Sequence, residues 1–158
     1  MRWAKILAFL LVTITVWGCY KNEMSPIPEI VFISQSQTEV ADSGRGEFEE
    51  ITFLFDFQDG DADIGPIGDP FPLQNITFID SRDSTKDFYD FPPIPEPVVT
   101  DDGIRGSFVV RVNPNIFIAR DDTTIHKLTD TVQYKVFVKD EAGNESNEVK
   151  TKSIVIVK

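Results

Sequence analysis

Between Phe48 and Phe57 the chain alternates between two kinds of side chain, and this pattern decides what it can become. Ile51, Phe53, Phe55 and Phe57 fall on one face of an extended segment, with Thr52 and Asp56 on the other. A period of two belongs to a strand half-buried against a core, whereas a helix repeats every 3.6 residues. The alternation returns at Ser107–Asn113, where Phe108, Val110 and Val112 share a face. It returns again at Thr131–Lys139, where Val132, Tyr134, Val136 and Val138 alternate with Gln133, Lys135 and Lys139. Shorter apolar runs lie at Glu29–Ser34, at Asn75–Asp80 (Ile76 and Phe78 on one face) and at Glu148–Val157, which ends in Ile154 to Val157.

No segment of useful length carries a helical period. Ten prolines and nine glycines interrupt the chain at short intervals. Val, Ile, Thr and Phe fill the apolar runs and leucine is scarce after residue 18, which is strand composition. Six strands, with a seventh within residues 84–100, are separated by turn signals at Asp42–Gly46, Asn113-Pro114-Asn115 and Glu141–Ser146. This predicts an all-β chain: a Greek-key sandwich of about seven strands, of the immunoglobulin-like or fibronectin type III-like kind. The paired cysteines and tryptophan of antibody domains are missing, so the inference is to architecture alone. Phe91-Pro92-Pro93-Ile94-Pro95-Glu96-Pro97 cannot sit mid-sheet, because proline has no backbone donor. It is expected as a rigid loop covering a sheet edge.

The N-terminus is of another character. Met1–Lys5 is basic, Ile6–Trp17 is an apolar run of twelve residues, and Gly18 precedes Cys19, the single cysteine of the chain. As a helix twelve residues span about 18 Å, too short for a hydrocarbon core of about 30 Å. This is the layout of a cleaved secretory signal. Val16-Trp17-Gly18-Cys19 resembles a bacterial lipobox, which implies cleavage before Cys19 and a diacylglyceryl group on its sulfur. The expected organisation is a lipoprotein signal peptide at 1–18, the lipidated Cys19 and a tether at 19–28, and one β-sandwich domain at 29–158. The partner so implied is a membrane, reached through the N-terminal lipid. Tyr20 is not the aspartate of the inner-membrane retention rule, which favours the outer membrane. Lys21-Asn22-Glu23 resembles, with a single acid, the charged export signals of surface lipoproteins, and leaves the periplasmic and surface faces both open.

Loss of the signal removes Arg2 and Lys5 and takes the net charge from −11 to −13. Such a chain repels nucleic acid and anionic headgroups and attracts cations. The densest acidic feature is Asp59-Gly60-Asp61-Ala62-Asp63-Ile64-Gly65. Alternating carboxylates repel one another, and a hard divalent cation relieves that repulsion. Calcium is therefore the expected cofactor, with Asp59, Asp61 and Asp63 as ligands. The loop is not an EF-hand, because Ile64 and Pro70 stand where that motif needs glycine and glutamate. The alternative is a solvated turn whose aspartates accept backbone hydrogen bonds. In a seven-stranded sandwich the loop at Asp140–Asn147 lies at the same pole. Asp140 is then a fourth candidate ligand, and the pole faces the anchor because the first strand starts there.

Both loops resemble motifs of small uncharacterised lipoproteins of Bacteroidota. Those carry an Asp-Gly-Asp-Gly-Asp-Ile-Gly loop after a strand and an Asp-x-Ala-Gly-Asn-x-Ser-Asn turn before the last one. Here Ala62 replaces one glycine, and Asp140-Glu141-Ala142-Gly143-Asn144-Glu145-Ser146-Asn147 matches the second. The resemblance implies a lipid-anchored, immunoglobulin-like domain and brings no activity with it.

Other chemistry is thin. His126, the one histidine, cannot build a zinc site alone. No nucleophile elbow or glycine-rich phosphate loop is present. A glycan-active enzyme would need two carboxyl groups about 5–10 Å apart in a deep pocket, and a bare sandwich of this size lacks loops to wall one. Asp83-Ser84-Thr85, Asp122-Thr123-Thr124 and Asp130-Thr131-Val132 resemble the O-glycosylation pattern of Bacteroidota. The expected role is non-enzymatic: a structural or protein-binding module whose partner is an envelope protein. The alternative is a glycan partner on a carbohydrate-binding module. Its stacking platform would be Phe88, Tyr89 and Phe91, provided their rings lie exposed and coplanar.

Overall fold

The computed structural model describes residues 24–41, 50–66, 74–94, 102–113 and 129–157. The signal segment, Cys19, His126 and Asp122-Thr123-Thr124 lie outside these residues, as do Asp42–Gly46 and Pro95-Glu96-Pro97. Among the described residues there are ten strands and no helix. They are β1 (Glu29–Gln35), β2 (Glu39–Ala41), β3 (Ile51–Asp59), β4 (Ile76–Asp80), β5 (Lys86–Tyr89), β6 (Ile104–Val112), β7 (Thr129–Val132), β8 (Tyr134–Val138), β9 (Val149–Lys150) and β10 (Ile154–Val157).

One layer is the sheet β1-β3-β6, and the other contains β5-β4-β8-β9 with the smaller sheet β2-β10-β7. β7 and β8 are separated only by Gln133, and β9 and β10 only by residues 151–153. Each pair is one long path of chain, interrupted where side-chain bonds join a single backbone bond, from Thr151 N to Tyr134 O at 3.0 Å. At the interruption the Thr151 hydroxyl accepts from Tyr134 N at 3.0 Å, and Gln133 Nε2 donates to Thr151 O at 2.8 Å. The single strands expected at 131–139 and 148–157 are therefore each split in two.

β3 is central. It pairs antiparallel with β1 (Phe32 opposite Phe55) and with β6 from Ile51–Val112 to Asp59–Ile104. Its alternation points Ile51, Phe53 and Phe55 into the core, all fully buried. There they meet the other layer edge to face. Phe53 lies 5.4 Å from Phe78 of β4 and 6.3 Å from Tyr134 of β8, and Phe55 lies 6.1 Å from Phe78. Such pairs add about 0.5–1.5 kcal/mol each beyond area burial, and they lock the two layers in register. The result is the expected all-β sandwich.

After β1 the chain changes layer. Thr38 O accepts from Val155 N at 2.9 Å, and β2 then runs parallel to β10. The Pro-rich segment is more than an edge cover. Phe91 and Ile94 are core residues, and Ile94 N donates to Pro66 O at 2.8 Å. Phe91 packs against Phe57 and Phe108 at 5.1 and 4.7 Å. It also lies against Gly65, where a Cβ would stand 2.5 Å from Phe91 Cδ1.

Candidate functional site: an acidic pole

The period that buries Phe53 and Phe55 also turns Asp59 inward at the end of β3. Its side chain is 0% exposed. The chain then reverses through Gly60 to Gly65, with Ala62 in the left-handed region at φ 62°. A side chain there costs about 1 kcal/mol relative to glycine.

The turn is held by backbone donors on the carboxylates. Asp59 Oδ2 accepts from Ile64 N at 3.0 Å. Asp63 Oδ2 accepts from Ala142 N at 3.0 Å, and Asp63 O accepts from Glu141 N at 3.1 Å. The loop at 140–147 thus docks on the loop at 59–65, so the two do meet at one pole. Asn75 ties them to the body: its Nδ2 donates to Ile64 O at 2.7 Å and its Oδ1 accepts from Phe91 N at 3.0 Å. Nothing in the sequence marked Asn75, because an amide that joins two distant segments has no local pattern.

One carboxylate oxygen from each of Asp59, Asp61 and Asp63 lies within 4.8 Å of the other two. Two oxygens on one calcium ion, each about 2.4 Å from it, are at most about 4.8 Å apart. Asp59 Oδ1 and Asp63 Oδ1 are buried and accept no hydrogen bond from any described residue. Each carboxylate therefore uses one oxygen to hold the turn and keeps the other for something else. Burial, then the charges of Asp61 and Asp63, push the Asp59 carboxyl up to about 7. Burial, then Asp140 and Asp61, raise Asp63. An unpaired buried carboxylate costs several kcal/mol unless it takes a proton or a cation. The donor set is all oxygen, which suits a hard cation such as calcium rather than zinc or copper.

Asp140 is at this pole but outside the three-carboxylate cluster. Its Oδ1 and Oδ2 accept from Asn144 N and Nδ2 at 2.7 and 2.8 Å. Its contribution is charge, felt at Asp63. The rest of its turn is structural. Gly143 takes φ 93°, and Ser146 Oγ accepts from Val138 N at 2.9 Å. Asn147 pairs with both backbone groups of Ile30, at 2.8 and 2.9 Å, like one more residue of a strand.

The chain matches no protein-family model, no curated protein and no solved structure.

The three aromatic candidates do not form a platform. Phe91 is in the core, and Tyr89 packs edge-on against Phe78 at 5.1 Å. Only Phe88 faces solvent, at 53% exposure. It stands across Thr77 from Phe137 on the outer face of the sheet, beside a groove of about 440 Å³ that Lys139 and Glu141 also line. Of the described glycosylation-like sites, Ser84 and Thr131 are both exposed.

Proposed function

We propose that this chain is a lipid-anchored β-sandwich of the bacterial outer membrane that acts as a structural or protein-binding module rather than an enzyme. Its acidic pole is held together by calcium. The observation that carries the cation is the pair of buried, unpartnered oxygens on Asp59 and Asp63 beside Asp61. The lipid rests on the segment around Cys19, and the resemblance to Bacteroidota lipoproteins supports the same reading. The non-enzymatic role is supported by a C-terminal turn whose Asp140, Ser146 and Asn147 side chains hold backbone groups.

Thermal melts of the chain from Tyr20 onward, in EDTA and in millimolar calcium, test the cation. At a calcium concentration of about 100 times Kd the stabilisation is about 2.7 kcal/mol, or roughly 8 °C for a domain of this size. Asp61→Asn/Asp63→Asn is expected to lose the shift. Coincident melts in all conditions would leave the pole as a solvated turn.

The anchor is tested in a bacterial host. The native chain should partition into detergent with a lipid mass on its N-terminal cysteine. Cys19→Ala should remain uncleaved and unlipidated. An unmodified thiol on the mature protein would refute the anchor.

The exposed Phe88, across Thr77 from Phe137, keeps a carbohydrate-binding reading as the alternative. It predicts retardation of the protein in polysaccharide affinity gels that Phe88→Ala abolishes; equal mobility of both proteins would remove it.

A further inference from the structure

The turn that carries the carboxylates also carries the start of the described chain. Gly60 N donates to Ser25 O at 2.8 Å. A Cβ on Gly60 would stand 2.3 Å from Met24 O and 2.6 Å from Ser25 O, so the two stretches of backbone are in direct contact. Gly103, at φ 93°, closes the same layer from the far side. A Cβ there would meet Asp59 O at 2.3 Å and Met24 Cε at 2.8 Å. Arg105 Nη2 donates to Met24 Sδ at 3.1 Å, and Ile27 N donates to Ser25 Oγ at 3.0 Å, turning the segment toward β1. Residues 24–28 thus form a strap laid over Gly60, between Asp59 and Asp61.

We infer that cation occupancy of the Asp59, Asp61 and Asp63 site governs the docking of this strap, and with it the length of free chain between the domain and Cys19. The inference rests on the cation reading proposed above. Without an ion, the crowded acids at Asp59, Asp61 and Asp63 share no counter-charge, the turn opens more often, and the opened turn no longer presents Gly60 N–H to Ser25. With an ion the turn is fixed and the donor is in place. Linkage makes the effect reciprocal: a docked strap raises ion affinity by the factor by which the ion favours docking. The geometric consequence is large. Release of residues 24–28 adds five residues, about 17 Å when extended, to the chain that leads into β1. Divalent cation then sets whether this length of chain is held against the domain or free of it.

Amide hydrogen exchange of the chain from Tyr20 onward, in EDTA and in calcium, with melts in parallel, tests this. The Gly60 amide, which donates to Ser25 O, is expected to exchange about tenfold or more slowly in calcium. Asp61→Asn/Asp63→Asn should lose both the protection and the melt shift. Gly60→Ala keeps the carboxylates but crowds the strap. It should keep a calcium-dependent melt shift, bind calcium at least about fivefold more weakly, and leave the amide of residue 60 unprotected in either buffer. A calcium-dependent melt shift with unchanged exchange at the Gly60 amide would overturn the strap while leaving the cation site standing. No response of either readout to calcium would overturn both.

Discussion

Replacing Arg82 with methionine should destabilise the protein by about 3–5 kcal/mol, a fall in Tm on the order of 10 °C or more. Arg82 sits in the turn after β4. Its Nη2 and Nε donate to Asp80 Oδ2 and Oδ1 at 2.7 and 3.1 Å, and its Nη1 donates to Asp130 Oδ2 at 2.7 Å. Asp80 is fully buried. The two carboxylates hold the guanidinium firmly protonated, with its pKa above the usual arginine value. Methionine preserves much of the volume and removes the cation facing a buried anion, the costly way to break such a pair. Lysine should recover only part of the loss, because a single ammonium cannot reproduce the two-pronged contact with Asp80. Urea unfolding of Arg82→Met and Arg82→Lys beside the parent chain measures this. A cost under about 1 kcal/mol, the scale of surface pairs, would mean that Asp80 is well solvated and the clamp is not what closes that end of the sandwich.

This clamp was invisible in the sequence, and the reason is general. Asp80-Ser81-Arg82-Asp83 reads as a polar turn, and its second carboxylate comes 48 residues later on β7. Strands whose burial repeats every second residue were legible: β3, β6 and β8 lie where the alternation of Phe, Val and Ile places them. β2 has three residues with Val40 alone buried, too short to show a period. The breaks at Gln133 and Thr151 escaped because Val132 and Tyr134 keep the alternation running across the first. What interrupts the pairing is the hydroxyl of Thr151, in the connection between β9 and β10. At the acidic pole the spacing of Asp59, Asp61 and Asp63 identified the candidates and the topology brought Asp140 to them. The division of labour within each carboxylate, one oxygen on a backbone amide and one without a partner, depends on Ile64 and Ala142 amides that no local motif specifies. The strap over Gly60 was equally hidden, since a polar segment with prolines reads as tether whether or not its carbonyls have partners.

Asp59→Asn should stabilise the protein in the absence of calcium and lose most or all of that advantage in its presence. In EDTA the folded protein holds a proton on Asp59 up to about pH 7, against an ordinary value of 3.8. A carboxyl raised in the folded state binds protons more tightly there than in the unfolded chain. Its contribution is therefore greatest below about pH 4, declines as the pH rises toward 7, and levels off above. Asparagine has no such window. Its oxygen can still accept from Ile64 N, and its NH₂ group can donate to the Asp61 or Asp63 carboxylates. At pH 8 in EDTA the variant should thus be more stable than the parent by about 2–4 kcal/mol, and at pH 4 the advantage should vanish. Asp63, also raised by burial and by Asp140 and Asp61, adds a slope of the same sign to both proteins. In millimolar calcium at pH 8 the parent recovers about 2.7 kcal/mol at 100 times Kd. The variant, deprived of the buried ligand, recovers little, so its advantage should narrow or reverse. Denaturant unfolding of both proteins at pH 4 and 8, with and without calcium, covers the whole comparison. An Asp59→Asn effect independent of pH and of calcium would show that water already satisfies this carboxylate, and the pole would then hold no cation.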